Sequence, residues 1–229
     1  MSKETNTVNY YQEIQKVVNE ALKDLQESKD SGRLPKNPVS ANHFLIRWVT
    51  TAIKSQRFSR CVAKDLMTWQ KEGRTKGTGT QLPVRFEHYS RLYATLAPAD
   101  MVTPITKSGL MAWCESLEEQ DWCVTTDYEV LAKASLFSDG DHSLIICATQ
   151  LASCFEGDDE ETQSLVKPLT CYVRGNHHEF VESAFEHGLM VHKRSDYKSK
   201  VKYHGEYLIF PNNHGLQLGE TPFSFNVKK

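Results

Sequence analysis

The stretch CYVRGNHHEFVESAFEHGLMVHKR, residues 171–194, decides the fold class, because its pattern changes from strand to helix and back to strand. Its Val-containing start is typical of a β-strand. Asn176 can cap a helix over residues 177–187, and Gly188 can end it. Residues 190–192 then predict a second short strand. A helix enclosed by two strands, all with apolar positions, indicates an α+β fold.

Before residue 120 the apolar spacing predicts helices. Five helices are expected, over residues 8–28, from about 40 onward, 59–72, 84–96 and 108–119. In the first, a 3-4-3-4 spacing joins Tyr11, Ile14, Val18, Ala21 and Leu25. Between the third and fourth, GRTKGTGT (residues 73–80) predicts a flexible polar loop, with Gly73 ending the third helix.

After residue 120 short apolar runs predict strands. EVLAKASLF (129–137) and SLIICATQL (143–151) flank the turn-like SDGDH and predict an antiparallel hairpin. SLVKPLTCYVR (164–174) predicts a further strand, and residues 200–203 and 206–210 predict two more, joined at His204-Gly205.

The fold class expected from these patterns is α+β: a helical N-terminal part with about four to five helices, followed by a mixed, mainly antiparallel sheet with one or more short helices. Three domains are predicted. They are an N-terminal amphipathic helix and linker (1–38), a helical basic domain (39–120) and an α+β domain (121–229).

Composition points to a cytoplasmic protein. The chain has 229 residues, of which 39% are hydrophobic, and no apolar run approaches the length of a membrane span. MSKETNTVN at the start contains no apolar signal region, so no membrane association is expected. The six cysteines include no C-x-x-C pair and predict free thiols, with no metal and no cofactor.

Charge is strongly segregated along the chain, although its net value is only −2. Nine basic and three acidic residues lie between Lys54 and Arg91, whereas thirteen acidic residues and one lysine lie between Glu115 and Glu161. A basic helical surface favours nucleic acid as the partner of a non-enzymatic or regulatory accessory protein. The candidate contacts are Arg57, Arg60, Lys64, Lys71, Arg74 and Lys76, followed later in the chain by Arg194, Lys198 and Lys200.

The acidic segment supports an alternative function, that of an inhibitor or adaptor directed at a basic protein. Its candidate partner-binding residues are Asp158, Asp159, Glu160 and Glu161. A protein partner and a homodimer both stay open on this basis.

A third hypothesis is a metal-dependent hydrolase that uses Asp141 with His177 or His178. Gly140-Asp141 and Gly175-Asn176-His177 resemble two motifs of calcineurin-like metallophosphatases. In that family Asp, Asn and His hold two metals that activate water. The resemblance covers five residues, with no Asp-x-His upstream and no Gly-His-x-His downstream. We therefore predict no catalytic or metal residues, and a structural or surface role for the histidines of residues 177–214.

Overall fold

Seven α-helices and seven β-strands are present in the computed structural model, which describes residues 9–130, 141–159, 163–196 and 199–226. The helices are α1 (Tyr10–Asp30), α2 (Pro38–Lys54), α3 (Ala63–Lys76), α4 (Leu82–Leu96), α5 (Lys107–Glu118), α6 (Ala148–Cys154) and α7 (His177–Glu186). The strands are β1 (Cys123–Thr125), β2 (Ser143–Ile146), β3 (Phe155–Glu156), β4 (Ser164–Leu165), β5 (Leu169–Arg174), β6 (Val191–Ser195) and β7 (Gly205–Ile209). Helices dominate the N-terminal part and a mixed sheet follows, so the predicted α+β fold class is confirmed.

Two compact units divide the chain. The first, here called the helical unit, comprises the residues up to Thr95 together with Leu216–Leu218. The second, called the mixed unit, comprises Leu96–Gly215 and the residues from Gly219 onward. Within the described ranges, no helix combines the length and the apolar character needed to cross a bilayer.

The helical unit contains α1 to α4 almost entirely, and α5 lies in the mixed unit. All five predicted N-terminal helices are present, with ends shifted by a few residues. Two ends have clear side-chain caps. Asn37 accepts a hydrogen bond from the Ser40 amide at the start of α2, and Ser59 accepts one from Cys61 in the short 3₁₀ turn before α3. Such caps satisfy amide groups that have no partner inside the helix, which is why these starts can be predicted from sequence.

Gly73 lies inside α3 and does not end it, so this part of the prediction is wrong. A Cβ atom at this position would lie 2.8 Å from Cγ1 of Ile46 in α2. The glycine therefore lets two helices approach closely, and α3 continues to Lys76. Gly77, with φ of +52°, follows directly.

The flexible loop predicted for residues 73–80 is also wrong, because α3 is followed at once by a 3₁₀ turn, Gly77–Thr80. The buried side chain of Asn42 holds this turn. Its Nδ2 donates to the Gly77 carbonyl at 2.9 Å, and its Oδ1 accepts from the Thr80 hydroxyl at 3.0 Å. A buried amide that bonds on both sides fixes the turn against α2.

In the mixed unit, five strands form one sheet in the order β1-β2-β5-β7-β6. The pair β1-β2 is parallel and the other neighbours are antiparallel. Helices α5 and α7 contribute to the apolar core on one face of this sheet, and the Trp113 indole donates to the Ser183 hydroxyl at 3.2 Å between them. Strands β3 and β4 form a separate small sheet.

The stretch from residue 171 to 194 folds as predicted. Strand β5 leads into α7, whose first amides donate to the Asn176 side chain, and Gly188 follows the helix with φ of +76°. Strand β6 then pairs with β7. Local capping and turn chemistry suffice to define these boundaries.

The second arm of the predicted hairpin, residues 143–151, begins with β2. Most of the first arm, residues 129–137, lies outside the described residues, but both edges of β2 are taken, one by β1 and the other by β5. The predicted antiparallel pairing of the two arms is therefore wrong. The second arm is a strand only as far as Ile146, and the residues beyond it form α6. Short apolar runs do not distinguish a buried strand from a buried helix, which explains the error.

Residues 200–203 do not form the predicted strand. Tyr203 has φ of +65°, and β7 begins only at Gly205. The buried ring of His204 holds this segment: Nε2 lies 2.8 Å from the Ser143 hydroxyl and Nδ1 lies 2.7 Å from the Lys202 carbonyl oxygen. These side-chain bonds replace the strand pairing that the pattern predicted.

Candidate functional site

One face of α3 carries exposed cations at regular spacing. Lys64, Met67, Lys71 and Arg74 recur every three or four residues and are all exposed. They lie along one shallow depression that this helix alone provides, and Met67 is 60% exposed. We call these four residues the basic face.

The two acidic residues of α3, Asp65 and Glu72, interact with residues outside the basic face. Asp65 accepts a hydrogen bond from the Tyr10 hydroxyl at 2.8 Å. Glu72 binds Arg85 at 2.6 Å and Lys76 at 3.2 Å, and the hydrogen bond from Arg85 is the main cause that lowers the pKa of Glu72. Neither carboxylate forms a salt bridge with the basic face within the described part of the chain.

The basic face itself is left with its charge largely uncompensated. Among the described residues, no carboxylate lies within salt-bridge distance of Lys64, Lys71 or Arg74. Three uncompensated cations on one exposed helix surface provide a site that attracts anions from solution.

Not every predicted basic contact is available in this way. Arg57 binds Glu20 at 2.8 Å and Asp24 at 3.4 Å, and its guanidinium lies 5.1 Å from the ring centre of Trp48. Lys76 is paired with Glu72. Arg60 is exposed in the 3₁₀ turn before α3.

The pairing of Arg57 was missed because its partners lie on α1, 37 and 33 residues earlier in the sequence. Glu20 and Asp24 are themselves four residues apart and therefore share one face of that helix. That spacing was a signal for a cation site on α1, but it did not identify which cation would fill it.

The second predicted basic cluster belongs to the mixed unit. Arg194 is exposed on β6, where its Nε lies 3.8 Å from Oε2 of Glu206. The amide of Lys200 donates to the same carboxylate group at 3.2 Å. Lys198 lies outside the described residues. Glu206 thus contacts the side chain of Arg194 and the backbone amide of Lys200.

The predicted partner-binding acids lie in the connection between β3 and β4. Asp158 and Asp159 are exposed there, and the Asp159 carbonyl accepts a hydrogen bond from the Gln163 amide at 2.9 Å. Glu160 and Glu161 lie outside the described residues. The described pair is thus accessible to solvent at the end of a two-stranded hairpin.

A cleft that the sequence did not predict lies in the mixed unit. Its volume is about 340 Å³, and we call it the His177 cleft. It is lined by side chains from the start of α7, from β6 and β7, and from the segment after Gly219: His177, His178, Val181, Lys193, Tyr207, Glu220, Thr221, Phe223 and Asn226. Histidine, lysine, tyrosine and glutamate in one cleft form a typical ligand-binding or proton-transferring set.

Two pairs of polar groups define the chemistry of the His177 cleft. His177 Nδ1 lies 2.6 Å from the Tyr207 hydroxyl, and Lys193 forms a salt bridge with Asp196. Burial lowers the pKa of His177, with a further contribution from Lys193, so the imidazole is favoured in its neutral form. Burial also raises the pKa of the Glu220 carboxyl.

Gly175 and Asn176, two residues of the Gly-Asn-His triplet, have structural explanations. Gly175 has φ of +108°, and a Cβ there would collide with the His142 ring and the Asp141 carbonyl. Asn176 caps α7. In the ranges that the structure describes, no three His, Cys, Asp or Glu side chains converge as metal ligands. The hydrolase hypothesis gains no ligand set from these residues.

Comparison with known proteins identifies one family. Residues 9–222 match the family described as "Protein of unknown function (DUF2913)". No curated protein and no solved structure matches the chain.

Proposed function

The chain belongs to the DUF2913 family, and we propose that it is a nucleic-acid-binding accessory or regulatory protein that contacts the phosphate backbone through the basic face of α3. The observation that carries this proposal is the set of three exposed cations, Lys64, Lys71 and Arg74, with no salt-bridge partner among the described residues. Phosphate oxygens are the natural partners of such side chains, because binding releases the counterions condensed on the nucleic acid.

The charge of the helical unit supports the proposal. The sequence up to Thr95 contains sixteen basic and nine acidic residues, a net charge of +7, and residues 216–218 add none. The remaining sequence contains eleven basic and twenty acidic residues, a net charge of −9. A polyanion is therefore attracted to the helical unit, whereas the remaining sequence carries a net negative charge.

The length of the basic face suits a nucleic-acid strand. Ten residues separate Lys64 from Arg74, which corresponds to about 15 Å along a helix. One DNA strand carries a phosphate about every 3.4 Å along its axis, so this length spans about four of them. Lysine and arginine on the exposed face position a backbone without reading bases, so we expect little sequence preference.

We place the protein in the cytoplasm as part of this proposal. All six cysteines are free, and four of them are buried, which suits a reducing compartment.

The test is the binding of fluorescein-labelled 20-mers, as duplex DNA, single-stranded DNA and single-stranded RNA, measured by anisotropy. We expect the triple variant Lys64→Glu, Lys71→Glu, Arg74→Glu to lose binding while its thermal unfolding stays cooperative. The matched control is Lys23→Glu, Arg33→Glu, Lys36→Glu, which changes the net charge of the same unit equally at exposed positions outside α3.

Equal losses of oligonucleotide affinity in the two triple variants would show that only net charge matters. That result would overturn the assignment of the basic face as the binding site. Absence of binding by the wild-type protein to all three oligonucleotides at 50 mM salt would overturn the function. The comparison of duplex with single strands identifies which nucleic acid is preferred.

A second candidate function, the inhibitor or adaptor, is favoured by the acidic surplus of the mixed unit and by the exposure of Asp158 and Asp159. Replacement of residues 158–161 by serine would then remove a partner in a pull-down from the source cells. A partner retained by this variant would argue against the acidic segment as its site.

A further inference from the structure

Carboxylates outnumber ammonium groups in and around the His177 cleft. Two carboxylates, Glu220 and Asp196, act on it together with one ammonium group, that of Lys193. Lys193 is engaged by Asp196, and its Nζ also lies 5.9 Å from the ring centre of Tyr207. Lys193 and His178 favour the ionised form of Glu220, but burial outweighs them and raises the pKa of this carboxyl.

The surplus carboxylate is that of Glu220. In the described part of the chain, its carboxylate takes part in no hydrogen bond and no salt bridge, although its backbone amide donates to the Val191 carbonyl at 2.9 Å. This hydrogen bond holds the backbone of Glu220 beside β6, and the Glu220 side chain lines the cleft. Partial burial favours the neutral form of a carboxyl group, and a bound cation would favour the ionised form.

The other wall of the cleft suits the carbon chain of an organic cation. Phe223 is 55% exposed, and its ring centre lies 5.3 Å from that of the exposed His178. Aromatic faces attract ammonium groups, and Val181 adds a buried apolar surface. Thr221 and Asn226 line the same cleft and offer oxygen atoms to N–H donors.

An anionic ligand fits these contacts less well. The ammonium of Lys193 forms a salt bridge with Asp196, and Nδ1 of His177 forms a hydrogen bond with the Tyr207 hydroxyl. An anion would also lie next to the Glu220 carboxylate, which repels it.

We propose that the His177 cleft binds a small organic molecule carrying a primary amine, with Glu220 as the counterion of its ammonium group and Phe223 against its carbon chain. The volume of about 340 Å³ lies at the lower end of the range for ligand pockets. This site is separate from the basic face of α3 and does not depend on the function proposed for it.

The experiment uses the full chain and three chemically matched probes: cadaverine as the diamine, 1-pentanol as a neutral molecule and glutarate as the dianion. Isothermal titration calorimetry measures their binding to the wild-type protein, Glu220→Gln and Phe223→Ala. The control variant is Glu186→Gln, an exposed carboxylate of α7 that does not line the cleft.

We expect cadaverine alone to bind the wild-type protein. Its affinity should fall at least about tenfold in Glu220→Gln, as for other hydrogen bonds to charged groups, and less in Phe223→Ala. Glu186→Gln should bind as the wild-type protein does. Thermal unfolding of each variant separates loss of binding from loss of folding.

Nuclear magnetic resonance supplies a second readout. The side-chain carboxyl carbon of Glu220 can be followed through a pH titration with and without saturating cadaverine. A bound ammonium group favours the ionised carboxylate, so the pKa of Glu220 should fall on binding. Preference for glutarate, equal cadaverine affinity in Glu220→Gln, or no cadaverine binding at 10 mM would each overturn the proposal.

Discussion

The basic face of α3 and the His177 cleft place ionisable side chains in opposite environments. On α3 the cations are exposed, and the helix's own carboxylates are bound to other residues. In the cleft His177, Lys193 and Glu220 are partly buried, and the pKa values of His177 and Glu220 are shifted mainly by burial. Exposed charges act over several ångströms and are screened by salt, whereas buried groups act at contact distance and respond to pH.

The largest expected difference between the two sites is the salt dependence of their ligand affinities. With three phosphate contacts, the affinity for nucleic acid should fall about fortyfold between 50 and 200 mM salt, since each contact contributes about −0.9 to the slope of log K against log salt. Cadaverine binding to the partly buried Glu220 should change less than about threefold over the same range. Similar salt slopes for both ligands in anisotropy and calorimetry would remove the distinction between the sites.

The position of the basic face depends on how the buried side of α3 packs against α2. Gly73→Val should destabilise the protein by about 2 kcal/mol, because the added side chain meets Ile46 at less than contact distance. Gly79→Ala is the control, since a Cβ there comes no closer than 3.8 Å to its nearest neighbour, in Lys76. Urea unfolding measures both free energies, and equal stabilities for the two variants would show that α2 and α3 do not pack as closely as described.

Arg57 tests the difference between a structural and an exposed cation within the helical unit. Arg57→Ala should lower the free energy of unfolding by about 1 kcal/mol, because it removes two carboxylate contacts and the contact with Trp48. Lys71→Ala should leave stability nearly unchanged but weaken nucleic-acid binding. The assignment of roles is wrong if the two variants show the reverse pattern in urea unfolding and anisotropy.

The smallest expected effect concerns pH and the buried His204. Burial lowers the pKa of His204, so below its ordinary value of about 6.5 the unfolded chain takes up a proton that the folded chain does not. This contribution to stability is present above pH 6.5 and is lost as the pH falls through the folded pKa. His204→Gln should therefore show a flatter dependence of unfolding free energy on pH between 7 and 5.

Exposed His43 provides the control for that measurement. His43→Gln should follow the wild-type profile across the same pH range. A profile for His204→Gln that is as steep as the wild-type one would assign the pH dependence to other groups.

Parts of this molecule could be predicted because neighbouring residues determine them. Asn176 caps α7 and Gly188 follows its end, both within a dozen residues of each other. The close approach of α2 and α3 at Gly73 could not be predicted, because Gly73 and its neighbour Ile46 lie on two different helices. The same holds for the turn after α3, which depends on the buried amide of Asn42, 35 residues earlier.

By itself, the sequence determined the α+β class, most helix boundaries and the segregation of basic from acidic residues, because helical periodicity, caps and charge counts are local properties. Only the tertiary structure decided which cations keep an exposed charge, since Arg57 finds its partners on α1 whereas Lys71 finds none within salt-bridge distance among the described residues. It also decided that Glu220 lines the same cleft as His177, 43 residues earlier. Such contacts arise when distant segments are buried together, and no local pattern in the chain encodes them.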